Sequence, residues 1–209
     1  DDMSTDETMW AMAQTTDQSN YYYVAPHSFA DHENGAYQGT FINNDFVQLF
    51  SDTDVRNTFY HYYSTNTAAW FAWVTSKFTF AFDSDMIMMR VAEMMLIEAE
   101  AKARQGNDAA AATLLFTLQS ERDPSAVASG NTGASLIEEV MIERRKEMYC
   151  ELGVEWFDAK RTRSGITRTG NHRVFLDLDP DDKRFILCIP QSEIDANEFI
   201  DDSINSDSL

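Results

Sequence analysis

The chain has 209 residues, of which 44% are hydrophobic and 24% are charged, and these fractions are typical of a folded globular protein. Its formal net charge is −19, from 35 acidic and 16 basic residues. This charge disfavours nucleic acid and anionic lipid as partners, because both are negatively charged. A neutral ligand, or a partner with a basic face, is compatible with it. No apolar run approaches the roughly 20 residues that span a bilayer.

The ends and the cysteines of the chain carry little functional information. The chain begins at Asp1-Asp2 without an initiator Met or a signal peptide, so we expect a fragment or a processed form. Its two cysteines, Cys150 and Cys188, are too few for a disulfide framework or for a cysteine-based zinc site. Both have apolar neighbours, which favours two buried thiols, with a single disulfide as the alternative.

Composition divides the chain into three stretches. Residues 1–82 hold most of the aromatic side chains, and their short β-prone runs alternate with polar turn residues, which predicts short strands and long loops. Residues 83–163 have helical periodicity. Residues 164–209 are mostly irregular, with a strand predicted over 184–189 and a mobile, acidic tail over 201–209.

The helical stretch opens with a predicted hairpin. Apolar side chains recur every three or four residues over 86–105, and three of the five on this stripe are alanine, so another helix can approach closely. Gly106 suits the left-handed residue that ends a helix. A second helix is predicted over 108–122, which makes the pair an antiparallel hairpin.

A second helical pair is predicted after the first. Ser135 and Glu138 have the spacing of a capping box, which opens a third helix running to about Leu152. A short fourth helix is predicted over 154–161. Two successive hairpins are typical of a tetratricopeptide-like stack, although no clean internal repeat of about 34 residues is present.

Five strings in these elements match one protein family. Residues 90–101 resemble the R-x-A-E-x-x-L-I-x-A-E-A helix of SusD/RagB proteins. Residues 143–161 are similar to the E-R-R-x-E…E-x-G-x-x-W-F-D-x-x-R segment of that family, and residues 189–197 to its I-P-x-x-E-I-x-x-N string. Residues 54–56 and 77–78 match its weaker D-x-R and K-F positions. All five occur in the order and spacing of the family.

The resemblance implies a mainly α-helical, SusD-like fold, built from tetratricopeptide-like hairpins with long loops and a few short strands. It implies that residues 1–209 are the C-terminal part of the domain, because family members are about twice as long. They also carry a signal peptide and a lipid-anchored cysteine, which this chain lacks. After residue 197 the chain departs from the N-P-G-Y-like tail of the family.

The same resemblance implies a function. SusD/RagB proteins bind oligosaccharides at the surface of Bacteroidetes-type bacteria without cleaving them. They deliver the sugar to a TonB-dependent, SusC-like transporter in the outer membrane, where a lipid anchor holds them. We therefore expect no cofactor, no metal and no nucleic acid partner, and a membrane association only through the anchor.

Aromatic side chains are the best ligand candidates, because flat rings pack against the apolar C–H faces of a pyranose. Trp70, Trp73, Tyr21, Tyr22 and Tyr23 lie among small and polar residues, and they are the predicted ligand contacts. For any one of them, packing in the core is the alternative role.

A charged run in the third helix is expected to be structural. Glu143, Arg144, Arg145 and Glu147 include spacings of three and four residues, which predict ion pairs along and between helices. We assign these four residues to a structural ion-pair cluster rather than to a ligand site.

Two other functional classes compete with glycan binding. A tetratricopeptide-type scaffold for a protein or peptide fits the helices, but such grooves usually carry basic residues that this acidic chain lacks. A glycoside hydrolase would need a carboxylate pair, for which Glu155 and Asp158 are candidates with no further support. A metal site at His27, His32 and Glu33 lacks a second group of ligands.

Overall fold

A computed structural model describes residues 5–13, 15, 17, 40–78 and 85–205. Helices outweigh strands in the described part, and this confirms the predicted mainly α-helical class. Its strands are Thr8–Met12 (β1), Phe59–His61 (β2), Trp73–Thr75 (β3) and Met86–Arg90 (β4). Its α-helices are Asn44–Val47 (α1), Val91–Arg104 (α2), Asp108–Arg122 (α3), Gly133–Met148 (α4), Val154–Thr162 (α5) and Gln191–Ala196 (α6).

The chain forms two compact units. The first comprises Asp1–Val154 together with the short segment Gly170–Arg173, and the second comprises Glu155–Thr169 and Val174–Leu209. None of the described helices has the length and apolar character needed to cross a bilayer.

The first unit is organised around the hairpin of α2 and α3, with α4 packed against both helices. Three buried alanines of α2 let α3 approach closely, so that Leu96 and Leu115 lie fully inside. Gly106 ends α2 in the left-handed conformation predicted for it, with φ +77°. The predicted hairpin is therefore confirmed over α2 and α3. Its core consists of Ala92, Leu96, Ala99, Ala103, Ala111, Leu115, Leu118, Leu136 and Val140.

The first five residues of the predicted helix 86–105 are a strand, and that part of the prediction was wrong. Strand β4 pairs antiparallel with β1, with Ala11 opposite Ile87 and Met12 opposite Met86. A run of methionine and isoleucine is compatible with helix or strand, and the distant partner strand decides between them. The Val91 N–H then donates to the Glu7 carbonyl at 2.9 Å, which fixes the start of α2.

A second antiparallel pair, β2 and β3, covers an aromatic core in the same unit. Tyr149, directly after α4, shares a 2.9 Å hydrogen bond between its Oη and Thr75 Oγ1 of β3. This bond ties the small sheet to the end of α4. The rings of this core pack at centroid distances of 5.0 to 6.2 Å and belong to Phe46, Phe50, Phe59 and Tyr149.

Helix α4 begins two residues before the predicted capping box. It starts at Gly133, with Thr132 as its N-cap, so Ser135 lies in the first turn and does not cap the helix. The Gly133 N–H instead donates to Asp108 Oδ2 at 2.9 Å, a contact from the start of α3. A side chain distant in sequence therefore satisfies a free amide at this end.

Helix α4 ends at Met148 rather than at about Leu152. Lys77 Nζ donates to the carbonyls of Glu147 and Tyr149, each at 3.0 Å. A cation at this position satisfies the unpaired carbonyls and interacts favourably with the helix dipole. Leu152 itself has a positive φ of 44°, which is incompatible with a continued helix.

The second unit contains α5, α6 and irregular segments. The strand predicted over 184–189 was wrong, because Lys183–Phe185 forms a 3₁₀ turn and residues 187–189 have no regular structure. The Asp182 side chain accepts the Arg184 N–H at 2.8 Å, which favours the turn. The turn buries Phe185 in a small core with Ala159, Leu178, Trp156 and Ile166.

Two further expectations change in the structure. Cys150 is half-buried and Cys188 is exposed, both as free thiols, so the expectation of two buried thiols was wrong for Cys188. In the tail, Asp202–Asn205 forms a 3₁₀ turn. Asn205 exchanges two hydrogen bonds with the backbone of Ile189, at 2.8 and 2.9 Å, which anchors the start of this tail.

Candidate functional site: an exposed aromatic strip

Five aromatic side chains form a continuous strip on the first unit. Tyr62 contacts Tyr63 at a centroid distance of 4.7 Å, and Tyr63 contacts Phe41 at 5.6 Å. Trp70 then meets Phe41 and Phe71, each at 5.2 Å. Tyr62, Tyr63 and Trp70 expose 57%, 40% and 39% of their surface. We call these five residues the aromatic strip.

The loop that carries Trp70 is held by its own polar residues. Asn66 accepts the Ala68 N–H on its side chain at 3.1 Å and the Ala69 N–H on its carbonyl at 2.9 Å. The Ala72 N–H donates to the Ala69 carbonyl at 3.0 Å. These are successive turns, which asparagine and small residues favour.

A segment from much later in the chain, Gly170–Arg173, locks this loop in place. The buried Asn171 side chain donates from Nδ2 to the carbonyls of Ala69, at 2.8 Å, and Thr67, at 3.3 Å. Asn171 also exchanges hydrogen bonds with Asn44 at the start of α1, both at 3.0 Å. Asn171 thus joins the Trp70 loop to α1, which contributes Phe46 to the aromatic core.

Glycine is required next to this anchor. Gly170 has φ +65°, a conformation that side chains rarely adopt. A Cβ on it would also collide with the side chains of Asn43, Asn44 and Asp45. The close approach of Gly170–Arg173 to α1 therefore depends on the missing side chain.

Arg173 completes the strip. Its guanidinium carbon lies 4.7 Å from the centre of the Trp70 ring, within the range of a cation–π contact. Arg173 is exposed, and it makes no ion pair with a carboxylate of the described residues.

The structure separates the two predicted tryptophans. Trp70 lies in the aromatic strip, whereas Trp73 lies in β3, half-buried, with the His61 ring 3.9 Å from its own. Trp73 also packs against the aromatic core. Tyr21, Tyr22 and Tyr23 lie outside the described residues, as do His27, His32 and Glu33. The tyrosines of the strip were not singled out from the sequence, although the Tyr62-Tyr63 pair was visible there.

A buried charge cluster lies elsewhere in the first unit and has Glu147 at its centre. Glu147, which is 3% exposed, accepts from Arg56 at 2.9 Å, Arg90 at 2.8 Å and Arg122 at 3.1 Å. Three cations around one carboxylate compensate the loss of its hydration. The other members of the cluster are Glu7, Asp54, Lys77, Glu143, Lys146 and Glu151.

The four residues assigned to an ion-pair cluster from the sequence divide in the structure. Glu147 and Glu143 lie in the charge cluster, with Arg56 Nη2 2.7 Å from Glu143 Oε1 at an angle too poor for a hydrogen bond. Arg144 is buried and pairs with Glu93 of α2 at 3.0 Å. Arg145 is exposed, and its guanidinium lies 4.8 Å from the centre of the Phe46 ring.

Two of the three arginine partners of Glu147 come from other family strings. Arg56 belongs to the D-x-R position and Arg90 to the R-x-A-E helix, while Lys77 of the K-F position reaches Glu151. Three strings distant in sequence therefore meet in one cluster. The charged residues within these strings are the sequence signal from which their contact in the fold could have been predicted.

A cavity of about 420 Å³ borders the charge cluster. Its charged lining includes arginines, lysines and glutamates of the cluster, which already pair with one another. We therefore assign these charged groups to the fold rather than to a ligand. Its apolar wall is formed by Val55, Phe78, Met86, Ile87 and Leu152.

Within the described ranges, no three His, Cys, Asp or Glu side chains come close enough to hold a metal ion. The carboxylates considered for hydrolysis lie in the second unit. Arg161 Nε donates to Asp158 there at 2.8 Å.

A sequence model of the SusD family matches residues 5–202. The chain belongs to the SusD family. The match includes all five strings and the aromatic strip. None of the curated proteins is similar enough to this chain to count as a relative.

Solved structures support the SusD-like fold. A SusD-like carbohydrate binding protein from Bacteroides vulgatus is 27% identical, with a TM-score of 0.80 over 95% of this chain and 49% of its own. A SusD superfamily protein from Bacteroides thetaiotaomicron is 24% identical, with a TM-score of 0.81 over 93% of this chain and 48% of its own. The chain thus spans about half the length of these SusD proteins.

We predict that Arg144→Ala and Arg145→Ala differ sharply in stability. Removing the buried Arg144 leaves Glu93 without its partner, which should cost roughly 3–5 kcal/mol of unfolding free energy. Removing the exposed Arg145 should cost about 1 kcal/mol or less. Urea denaturation of both variants measures the difference. Equal losses would contradict the assignment of the buried pair to Arg144.

We predict acid sensitivity centred on Glu147. Burial alone would raise its pKa, but the hydrogen bonds from Arg122 and the charges of Arg90 and Arg122 outweigh burial and lower the pKa from 4.5 to about 2. The stabilisation is complete above pH 4.5 and is lost as the pH falls towards 2. The shift corresponds to a loss on the order of 3 kcal/mol.

Urea denaturation between pH 6 and pH 2.5 tests this expectation. The pH dependence should be clearly reduced in Glu147→Gln, which is destabilised at all pH values. It should persist in Glu98→Gln, which removes an exposed carboxylate from α2. An unchanged pH slope in Glu147→Gln would contradict the central position of this residue.

Proposed function

We propose that this SusD-family protein binds oligosaccharide at the bacterial cell surface without cleaving it. The observation that carries the proposal is the aromatic strip, which presents three partly exposed rings on a loop fixed at several points. A SusD-like structure from Bacteroides vulgatus, 27% identical, is described as a carbohydrate binding protein. Family membership and the site chemistry therefore favour the same ligand class.

The strip suits a sugar for a physical reason. The C–H groups on one face of a pyranose are apolar and pack well against a flat ring, while its hydroxyls need polar partners. Around Trp70 the loop supplies hydroxyl and amide groups on Ser64, Asn66 and Thr67. Several rings in series fit an oligosaccharide better than a single sugar, because each ring can pack against a successive unit.

The composition of the strip favours binding over hydrolysis. Hydrolysis of a glycosidic bond typically uses two carboxyl groups. Residues 61–72 and 168–173, which form the strip's loop and its anchor, contain neither Asp nor Glu. This supports a role in capture rather than in catalysis.

Membership of the family also carries the cellular part of the proposal. The protein is held at the outer membrane by a lipid anchor and delivers its sugar to a TonB-dependent, SusC-like transporter. Recovery of such a transporter with the tagged full-length protein from detergent-solubilised outer membranes would support this partnership.

We predict that Trp70→Ala weakens glycan binding by roughly tenfold or more, a loss of about 1–2 kcal/mol, because a central ring dominates a small interface. A glycan microarray with the full-length protein first identifies the bound sugar, and calorimetry then compares the variants. Phe157→Ala is the matched control, since Phe157 is 61% exposed in the second unit. Unchanged affinity in Trp70→Ala and Tyr62→Ala, or release of sugar by the pure protein, would contradict the proposal.

A further inference from the structure

Acidic residues are missing from the segment that carries four of the five rings of the aromatic strip and from the segment that anchors it. The chain has 35 acids among 209 residues, about one in six, yet neither residues 55–82 nor residues 159–176 contain one. These two ranges include the Trp70 loop and Gly170–Arg173, which meet through Asn171. Asp45 of α1 is the carboxylate that lies beside Gly170. These two segments therefore carry no negative charge, although the net charge of the whole chain is −19.

Among the described residues, Arg173 is the cation that contacts the aromatic strip, and it differs from the buried arginines of the same unit. Arg56, Arg90 and Arg122 each bind carboxylates of the charge cluster. Arg173 is exposed, has Trp70 as its aromatic partner, and pairs with no carboxylate of the described residues. No acidic side chain among the described residues therefore neutralises the positive charge of Arg173.

A guanidinium that contacts a ring in this way keeps its hydrogen-bonding capacity. The guanidinium carbon lies 4.7 Å from the centre of the Trp70 ring, and the group carries five N–H donors, more than a contact with one ring can occupy. Those donors match a carboxylate or a sulfate, each of which can accept two parallel hydrogen bonds. Trp70 in turn limits the positions of the Arg173 guanidinium, which reduces the conformational entropy that this side chain loses when a ligand binds.

We propose that the aromatic strip binds an oligosaccharide bearing an anionic group, a uronic acid carboxylate or a sulfate ester, and that Arg173 recognises that group. This inference rests on the proposed glycan binding and specifies its substrate class. The sugar rings pack on Tyr62, Tyr63 and Trp70 while Arg173 binds the anion. Because the whole chain carries a charge of −19, a sparsely charged oligosaccharide fits better than a dense polyanion.

Matched pairs of glycans test the inference on the full-length protein. One set contains glucuronate-bearing xylo-oligosaccharides and the same compounds after carboxyl reduction. The other contains monosulfated galacto-oligosaccharides and their desulfated forms. The charged member of at least one set should bind about tenfold more tightly than its neutral partner. The set that shows the difference distinguishes carboxylate from sulfate.

Variants assign the preference to Arg173. Arg173→Gln should abolish the preference for the charged glycan, and Arg173→Lys should retain part of it, because lysine keeps the charge but not the paired donors. Lys160→Gln is the matched control: Lys160 is exposed and pairs with no carboxylate of the described residues, so the variant removes one positive charge and should leave the preference intact. Thermal melts establish that all three variants are folded.

The outcomes that overturn the inference are distinguishable from one another. Equal binding of charged and neutral glycans, with Trp70→Ala still harmful, overturns the anionic preference and leaves the proposed function standing. Absence of binding to all glycans, or binding that Trp70→Ala does not affect, overturns both. A preference that Arg173→Gln leaves unchanged also contradicts the role of Arg173.

Discussion

The first unit depends on one buried carboxylate held by three arginines. Glu147 lies at the end of α4, and its partners come from the loop before β2, the end of β4 and the end of α3. Each of these ions would be unstable inside the protein alone, since burial removes its hydration. Together they require that three distant parts of the chain meet at the end of α4.

A short series of contacts connects the charge cluster to the aromatic strip, the proposed binding surface. Lys77 binds the last carbonyls of α4, and Tyr149, the next residue after the helix, bonds to Thr75 of β3. Strand β3 pairs with β2, and the loop between these strands carries four of the five rings of the aromatic strip. The charge cluster thus fixes the strands from which the loop projects, while Asn171 fixes the loop itself.

Sequence periodicity predicted the parts of the fold that local physics determines. Helices α2 and α3 follow from an apolar stripe and from Gly106, which act within the segment itself. Strand β4 did not follow, because its state depends on pairing with β1. The predicted strand over 184–189 was wrong because Asp182 stabilises a turn and Phe185 packs into the core. Long-range partners and single side-chain bonds leave no periodic signal.

The candidate site was only partly predictable for the same reason. Trp70 and Trp73 have similar neighbours in the sequence, and the pairing of β2 with β3 separates their environments. Arg173 lies about a hundred residues from Trp70, so their contact is a property of the fold. The absence of acids near both segments could have been noticed in the sequence and is the clue that links them.

Hydrogen exchange of the full-length protein, with and without the glycan identified on the array, tests the central claim most directly. The account predicts slower exchange of backbone amides in residues 61–72 and 170–173 when the glycan is bound, with little change in α2, α3 and α4. Protection confined to residues 85–90 and 150–152, which border the cavity beside the charge cluster, would contradict it. Protection found only outside both of these regions would also contradict the account.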